Sequence, residues 1–226
     1  MKTKGLIPRS WRFLKKVLLV LFIGQFVYII ILKWVNPPVT MTQLANWFGG
    51  YGLKRDYVDR EDISRFAKLA VISSEDQLFA DHKGFDWKSI EKAMEYNNRK
   101  PNRVHGASTI SQQTAKNVFL WQGRSYLRKG LEAYFTVLIE LIWGKERIME
   151  VYLNSIEMGN GVYGAEAASK YWYRKSAINL TKNEAAGIAA ILPNPRKFTA
   201  TNSSSYINSR KGRIVKHMNY VGKLEY

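Results

Sequence analysis

Val17 to Leu32 is a run of 16 residues, apolar except where Gly24 and Gln25 interrupt it. No other feature restricts the architecture so strongly, because a stretch this apolar must be buried whole or placed in lipid. As a helix it spans ~24 Å, somewhat less than a ~30 Å hydrocarbon core. Trp11, Phe13 and Leu14 before the run and Trp34 and Val35 after it extend the apolar length, while Lys15, Lys16 and Lys33 can snorkel outward. Basic residues at both ends argue against a buried core helix. Leu32-Lys33-Trp34-Val35-Asn36 offers no small-residue site for signal-peptide cleavage. The run therefore predicts a single transmembrane anchor over residues 17–35. Lys2, Lys4, Arg9, Arg12, Lys15 and Lys16 precede it and Lys33 alone comes directly after it. The positive-inside rule then places a basic tail, residues 1–16, in the cytoplasm and the rest of the chain outside the cytosol.

Charge narrows the partners. The chain has 35 basic and 18 acidic residues, a net +17, and its first acidic side chain is Asp56. Without residues 1–33 there remain 28 basic and 18 acidic side chains, a net +10, so the remainder is basic in its own right. Such a balance calls for an anionic partner. Outside the cytosol that partner is a lipid phosphate or a phosphorylated lipid substrate, not nucleic acid. Cysteine is absent, which excludes disulfide scaffolds, thiolate metal sites and thiol nucleophiles.

Asn36-Pro37-Pro38 stops the anchor helix, and Gly49, Gly50 and Gly52 punctuate the stretch beyond it, so residues 36–60 read as a connector. From Glu61 onward the pattern is helical, and residues 61–226 are expected to form one mainly α domain. Phe66, Leu69, Ala70, Ile72 and Ser73 share a helical face. Asp86 is placed to cap a helix that turns Ile90, Ala93 and Met94 inward. Leu127, Leu131, Tyr134, Phe135, Leu138, Leu141 and Ile142 recur at three and four over five turns, the mark of an amphipathic helix, up to Gly144. Thr181 and Glu184 have capping-box spacing, and Pro193 and Pro195 end the helix they start. No stretch alternates as a sheet requires.

Four segments could carry chemistry. In Ser74-Glu75-Asp76-Gln77-Leu78-Phe79-Ala80-Asp81-His82-Lys83-Gly84-Phe85-Asp86, carboxylates and one imidazole crowd a helix-to-loop transition. One His with scattered Asp matches no metal-ligand spacing. One reading of the segment is helix capping plus a solvated acidic loop; the other is chemical. A carboxylate at the end of an apolar helix, its pKa raised by desolvation, would serve as a proton acceptor. In His105-Gly106-Ala107-Ser108-Thr109-Ile110-Ser111-Gln112-Gln113-Thr114-Ala115-Lys116-Asn117, hydroxyls and small residues lead into a helix start suited to phosphate or sugar. Arg124, Arg128 and Lys129 cluster with Glu132; the pair at four residues is either a surface ion pair or a phosphate-facing group beside a second carboxylate. The fourth segment is Lys145 to Asn154, with Gly159, Gly161 and Gly164-Ala165-Glu166-Ala167-Ala168 after it.

In this order the segments resemble the glycosyltransferase (transglycosylase) domain that polymerises peptidoglycan. Glu75-Asp76 through Phe79, His82 and Gly84 match that family's first motif, and Gly106-Ala107-Ser108-Thr109-Ile110-Ser111-Gln112-Gln113 its second. Arg128-Lys129 with Glu132 match the third, Lys145–Asn154 the fourth, and Tyr163-Gly164-Ala165-Glu166-Ala167-Ala168 the fifth. Ala107 and Ser111 depart from the usual Gly and Thr. The likeness covers about residues 60–200 and implies the monofunctional biosynthetic form, with no transpeptidase domain after it.

The resemblance implies a lysozyme-like, two-lobed helical fold at the cell inner membrane, anchored by a single pass with its catalytic domain in the periplasm. The implied reaction joins a lipid-pyrophosphate-linked strand, the donor, to the 4-hydroxyl of lipid II, with inversion and release of undecaprenyl pyrophosphate. Glu75 is the implied base. Glu132 with Lys116, Arg124, Arg128 and Lys129 would face the pyrophosphate. Ser108, Thr109, Gln112 and Gln113 would position the donor, and Asp76, Phe79 and His82 would shape the Glu75 site. No organic cofactor is implied; a divalent cation such as Mg2+ often supports the family, but no ligands can be named. Moenomycin-type inhibitors and cell-wall synthesis proteins are the implied further partners. Val118-Phe119-Leu120-Trp121 reads either as a core patch or as a jaw dipping into the bilayer. Two other classes would leave different traces. A lytic glycosidase would release soluble muropeptides and need no cations around Glu132. A nucleic-acid binder would explain the charge but not the ordered motifs.

Overall fold

The computed structural model describes residues 6–100, 106–123 and 125–221. The chain divides into two units, Met1–Asn36 and Pro37–Tyr226. The first unit is one helix, α1 (Leu6–Ile31), which contains no acidic residue. Its segment Ser10–Ile31, 22 residues, is long and apolar enough to cross a membrane, spanning ~33 Å. The helix starts well before Val17, so Arg12, Lys15 and Lys16 ride on its early turns and the apolar length shortfall disappears. Leu18 to Ile23 are each more than half exposed, as expected of a helix whose surroundings are lipid.

The second unit is mainly α, in keeping with a lysozyme-like helical domain. Three helices form one layer of it: α3 (Arg65–Glu75), α9 (Lys182–Ile191) and α10 (Ser205–Val221) pack on one another. Ser64 caps α3 by accepting the Phe66 N–H at 3.2 Å. The Thr181–Glu184 capping box opens α9, and every residue from Ala185 to Ile191 is buried. Small side chains there let α3 and α10 approach closely. The other group centres on α5 (Ile110–Phe119), which packs on α2 (Met41–Phe48), α6 (Tyr126–Ile142) and α7 (Gly144–Ser155). Through α7, which also meets α3, the groups share a core around Ile148, Val151, Tyr152 and Leu153, all fully buried. Helix α8 (Ala165–Tyr173) packs on α7 as well.

Several expectations change. Residues 36–60 do more than connect. Thr40 and Gln43 form a capping box that starts α2. Strand β1 (Lys54–Arg55) pairs in parallel with β3 (Val162–Tyr163), which pairs antiparallel with β2 (Glu157–Gly159). These strands are too short to leave an alternating pattern in sequence. Helix α4 (Trp87–Arg99) has no buried residue, and Met94, expected inward, is 61% exposed. On α6 the buried positions are Glu132, Thr136 and Ile139, whereas Leu127 and Leu141 of the apolar stripe are 70% and 77% exposed. The fully buried stripe of this helix is thus polar at two of three positions, while Leu127 and Leu141, near the two ends of its apolar stripe, face the surroundings. Val118 and Leu120 are core residues, Phe119 stacks on Phe135 at 4.7 Å, and Trp121 stays 43% exposed.

Candidate active site

Helix α3 ends in two adjacent carboxylates that its termination separates. Asp76 leaves helical geometry at φ −160°, so its side chain diverges from that of Glu75. Asp76 is buried. Its Oδ2 accepts the first N–H of α5, from Ile110, at 2.9 Å, and the His82 Nε2 lies 2.9 and 3.0 Å from its two oxygens. The Gly84 N–H donates to His82 Nδ1 at 3.1 Å, so the ring proton sits on Nε2 and points at Asp76. A negative group at a helix N-terminus is favourable, so Asp76 braces α5. Gly84 has φ +91°, and a Cβ there would lie 2.8 Å from Thr136 Cγ2; only glycine fits. Phe79 is buried beneath the Lys145 ammonium, 4.6 Å from the ring centre, and Lys145 pairs with Glu140 at 2.6 Å.

Glu75 faces elsewhere and is 15% exposed. Its Oε2 accepts from the Gln113 amide at 3.1 Å, and its Oε1 faces the Arg210 guanidinium at 3.2 Å and the Ser74 hydroxyl at 3.5 Å. Burial pushes the Glu75 pKa up, while the Gln113 hydrogen bond and the Arg210 charge pull it back. Behind Gln113, the fully buried Tyr152 donates to Gln113 Oε1 at 3.3 Å. Burial holds the phenol's pKa well above its ordinary value, so it remains a donor. That bond fixes which end of the Gln113 amide meets Glu75.

The cations stand further along the same helices. Glu132 is buried, with Arg128 at 2.6 Å on one oxygen and Lys129 on the other. Lys116, on the neighbouring α5, is held below the ordinary lysine pKa by burial, an effect the Glu132 charge opposes. Lys129 also reaches the Ser108 hydroxyl at 3.4 Å. Ser108 in turn lines a cleft of about 650 Å3 together with Glu75, Asp86, Lys92 and Tyr96. Lys116, Arg128 and Lys129 do not line this cleft; Ser108 joins it to them. Thr109 and Gln112 are buried in the capping box of α5, with Thr109 Oγ1 donating to the Gly84 carbonyl at 2.7 Å. Their polar atoms build the helix start, so contact with a ligand falls to Ser108 and Gln113. Arg124 and His105 lie outside the described residues.

Among the described residues no group of three or more His, Asp or Glu side chains is placed to hold a metal ion. Three carboxylates line the cleft and each is engaged, Asp76 by His82 and the Ile110 N–H, Glu75 by Gln113 and Arg210, and Asp86 by the backbone and hydroxyl of Ser89. Sequence reasoning missed two site residues. Tyr152 sits within the fourth motif but reads as an ordinary core aromatic. Arg210 lies 135 positions from Glu75 and carries no local signal.

Glycine and asparagine fasten the remaining motif. Gly164, at φ +85°, passes so close to Asn154 that a Cβ would lie 2.7 Å from its carbonyl oxygen. The Asn154 side chain bonds both backbone groups of Val58. These are scaffold contacts behind the site.

Known proteins match this sequence over most of its length. The family model described as transglycosylase covers residues 41–219. The chain is 49% identical over 221 residues to a biosynthetic peptidoglycan transglycosylase of Pseudomonas entomophila (strain L48), across 95% of this chain and 93% of that protein. It is 48% identical over 217 residues to the protein of that name from Pseudomonas syringae pv. syringae (strain B728a), across 93% and 92% of the two chains. With that of Pseudomonas putida (strain GB-1) it shares 47% over 227 residues, 98% and 96% of the two. The chain belongs to the transglycosylase family.

Proposed function

We propose that the cleft works as a peptidoglycan glycosyltransferase with Glu75 as its general base. The enzyme polymerises lipid II into β-1,4 glycan strands and releases undecaprenyl pyrophosphate. The acceptor 4-hydroxyl oxygen attacks the donor's anomeric carbon, the bond from that carbon to the pyrophosphate oxygen breaks, and the hydroxyl proton passes to Glu75. A carboxylate is a weak base, so proton transfer accompanies bond formation. Lys116, Arg128 and Lys129, with Arg124, stabilise the charge that develops on the departing pyrophosphate, which favours the transition state over the ground state. Glu132 keeps Arg128 and Lys129 in place. The observation that carries this reading is the placement of base and cations on one support: Gln113 touches Glu75, and Lys116 comes one turn later on α5. Purified full-length chain in detergent, incubated with lipid II, is expected to yield glycan polymer; soluble muropeptides from mature wall and no polymer would favour a lytic enzyme.

The N-terminal helix is compatible with a single-pass membrane anchor. The charge distribution supports an inner-membrane location with residues 1–16 cytoplasmic and the domain periplasmic. A periplasm-active reporter fused after Tyr226 is expected to be active and a cytosol-active one silent; the reverse would overturn the orientation. Moenomycin-type phosphoglycolipids, which present a phosphate, would compete for the Lys116–Arg128–Lys129 cluster.

Tyr152 gives a sharper check on Glu75. Tyr152→Phe leaves the core filled but removes the hydroxyl that restrains the Gln113 amide, whose NH2 is then free to swing away from Glu75. The carboxylate then loses a stabilising donor, its pKa rises further, and the acid limb of the kcat/KM profile moves to higher pH. The loss at neutral pH is about tenfold, the worth of one such hydrogen bond. A profile superimposable on the wild type would remove Tyr152 from the site.

A further inference from the structure

A second cavity, of about 300 Å3, lies where the helical turn Arg60–Asp62 meets α3 and the start of α7. It shares no lining residue with the Glu75 cleft. Its floor is apolar, made by the buried side chains of Ile72, Phe79 and Met149. Its rim is charged, with Arg60, Lys68 and Lys145 beside Glu61 and Glu146. Arg60 pairs with both rim carboxylates, and Lys145 pairs with Glu140 at 2.6 Å. Glu150, whose charge also reaches Lys68, is held by Arg147 at 2.9 Å. Lys68 differs from the other two cations of the rim. Among the described residues it forms no ion pair, and of its three N–H donors one is used, on the Arg60 carbonyl at 3.1 Å. Burial and the neighbouring guanidinium hold its pKa below the ordinary lysine value, so the committed carboxylates nearby do not offset its lost hydration. A half-buried ammonium above an aromatic and aliphatic floor is matched by a ligand with an apolar body and a carboxylate. Glu61 and Glu146 on the rim disfavour a second negative charge on that ligand.

We propose that this cavity is a regulatory site for a small organic monocarboxylate, its acid group on Lys68 and its apolar body on Ile72, Phe79 and Met149. Two of its walls lead to α5. The Phe79 ring meets His82 edge-on, with centroids 6.3 Å apart, and His82 holds the Asp76 that braces the start of α5. Lys145 holds Glu140, which accepts the Ser111 hydroxyl on α5. A ligand that presses on Phe79 and Lys145 disturbs both supports, so the occupied enzyme polymerises more slowly. That consequence rests on the glycosyltransferase reading; binding itself does not.

The test titrates the full chain in detergent with para-trifluoromethylphenylacetate, followed by fluorine NMR. Saturable binding is expected. It should be weaker by about tenfold or more for the neutral amide of the same compound, and for the acid with Lys68→Met, the equivalent of one charged hydrogen bond. Lys68→Arg, which restores the charge, should recover it. Absence of saturation, or equal affinity of the wild type for acid and amide, would overturn the proposal without recourse to any variant. Equal affinity of the acid for wild type and Lys68→Met would place the probe elsewhere and overturn it as well. Because the titration needs no turnover, these failures are separate from failure of the polymerase reading. At saturating probe, polymer formation from lipid II should slow several-fold in the wild type and hold steady in Lys68→Met. An unchanged wild-type rate would overturn the regulatory role.

Discussion

Glu75→Gln is expected to lower glycan polymerisation at least ~10²-fold, the lower end of what a general base contributes. The substitution keeps the side chain's shape and leaves the Lys116–Arg128–Lys129 cluster untouched; the new amide's one oxygen can accept from Arg210 or from Gln113, and its NH2 then faces the other donor. Donor-site affinity should therefore survive, which separates loss of the base from loss of the site. The wild-type enzyme carries its own control in its pH dependence. Burial raises the folded-state Glu75 pKa, so activity falls as pH drops through a value above the ordinary ~4.3 of a glutamate. A raised folded-state value also means that the ionised form works against folding at neutral pH, and the favourable protonated contribution fades as pH rises through that value. Removing the charge should leave the thermal midpoint undiminished. Polymer assay, moenomycin affinity and thermal unfolding together decide the matter: near-wild-type polymer formation would end the base assignment, and Glu132 would become the leading candidate.

Glu132→Gln should behave differently. Glu132 is the buried counter-charge for Arg128 and Lys129, and its field also opposes the burial that depresses the Lys116 pKa. Without it Arg128 and Lys129 lose their fixed position and Lys116 loses its proton at lower pH. The expected result is weaker donor binding together with a rate loss on the order of 10²-fold, as for removal of one preorganised charge-stabilising group. The basic limb of the pH profile should also move to lower pH, because a lysine whose folded-state pKa falls is neutral over more of the alkaline range. Sensitivity to salt should rise, since mobile exposed cations are screened more than a locked buried pair. A variant that lowers kcat alone, with donor affinity and the basic limb unmoved, would show that Glu132 does not organise the cations.

Much of the site was legible because its residues are near in sequence. Glu75, Asp76 and His82 fall within one turn and loop, and Arg128, Lys129 and Glu132 within one turn of α6. The helix α9 was legible for the same reason, since Thr181 and Glu184 make its start with their own side chains. Tertiary contact set the rest. Glu75 and Asp76 are both carboxylates, and only the backbone turn at Asp76 gives them different neighbours. Thr109 and Gln112 look like ligand contacts until the helix start claims them. Arg210 reaches Glu75 from a helix that begins after residue 204. Periodicity showed that α6 has two faces but not which one the protein would cover, because burial of Glu132 depends on cations placed by α5 and by α6 itself. The helix α2 was hidden by the prolines and glycines around it, although its capping box was present in Thr40 and Gln43.

The exposed ends of the apolar stripe on α6 have a practical result. Most helices of this size hide their leucines, and a chain cut free of its hydrophobic leader is usually a freely soluble reagent. Here Tyr126, Leu127 and Leu141 remain uncovered after the domain has folded, as do Trp47 and Phe48 of α2. Deleting residues 1–36 is therefore expected to leave a protein that still sediments with phospholipid vesicles and self-associates when detergent is diluted below its micelle concentration. Replacing Leu127 and Leu141 by serine in that shortened chain should keep its circular dichroism spectrum and shift it to the supernatant. If the shortened chain already stays in the supernatant with Leu127 and Leu141 intact, α6 takes no part in holding the domain to a surface.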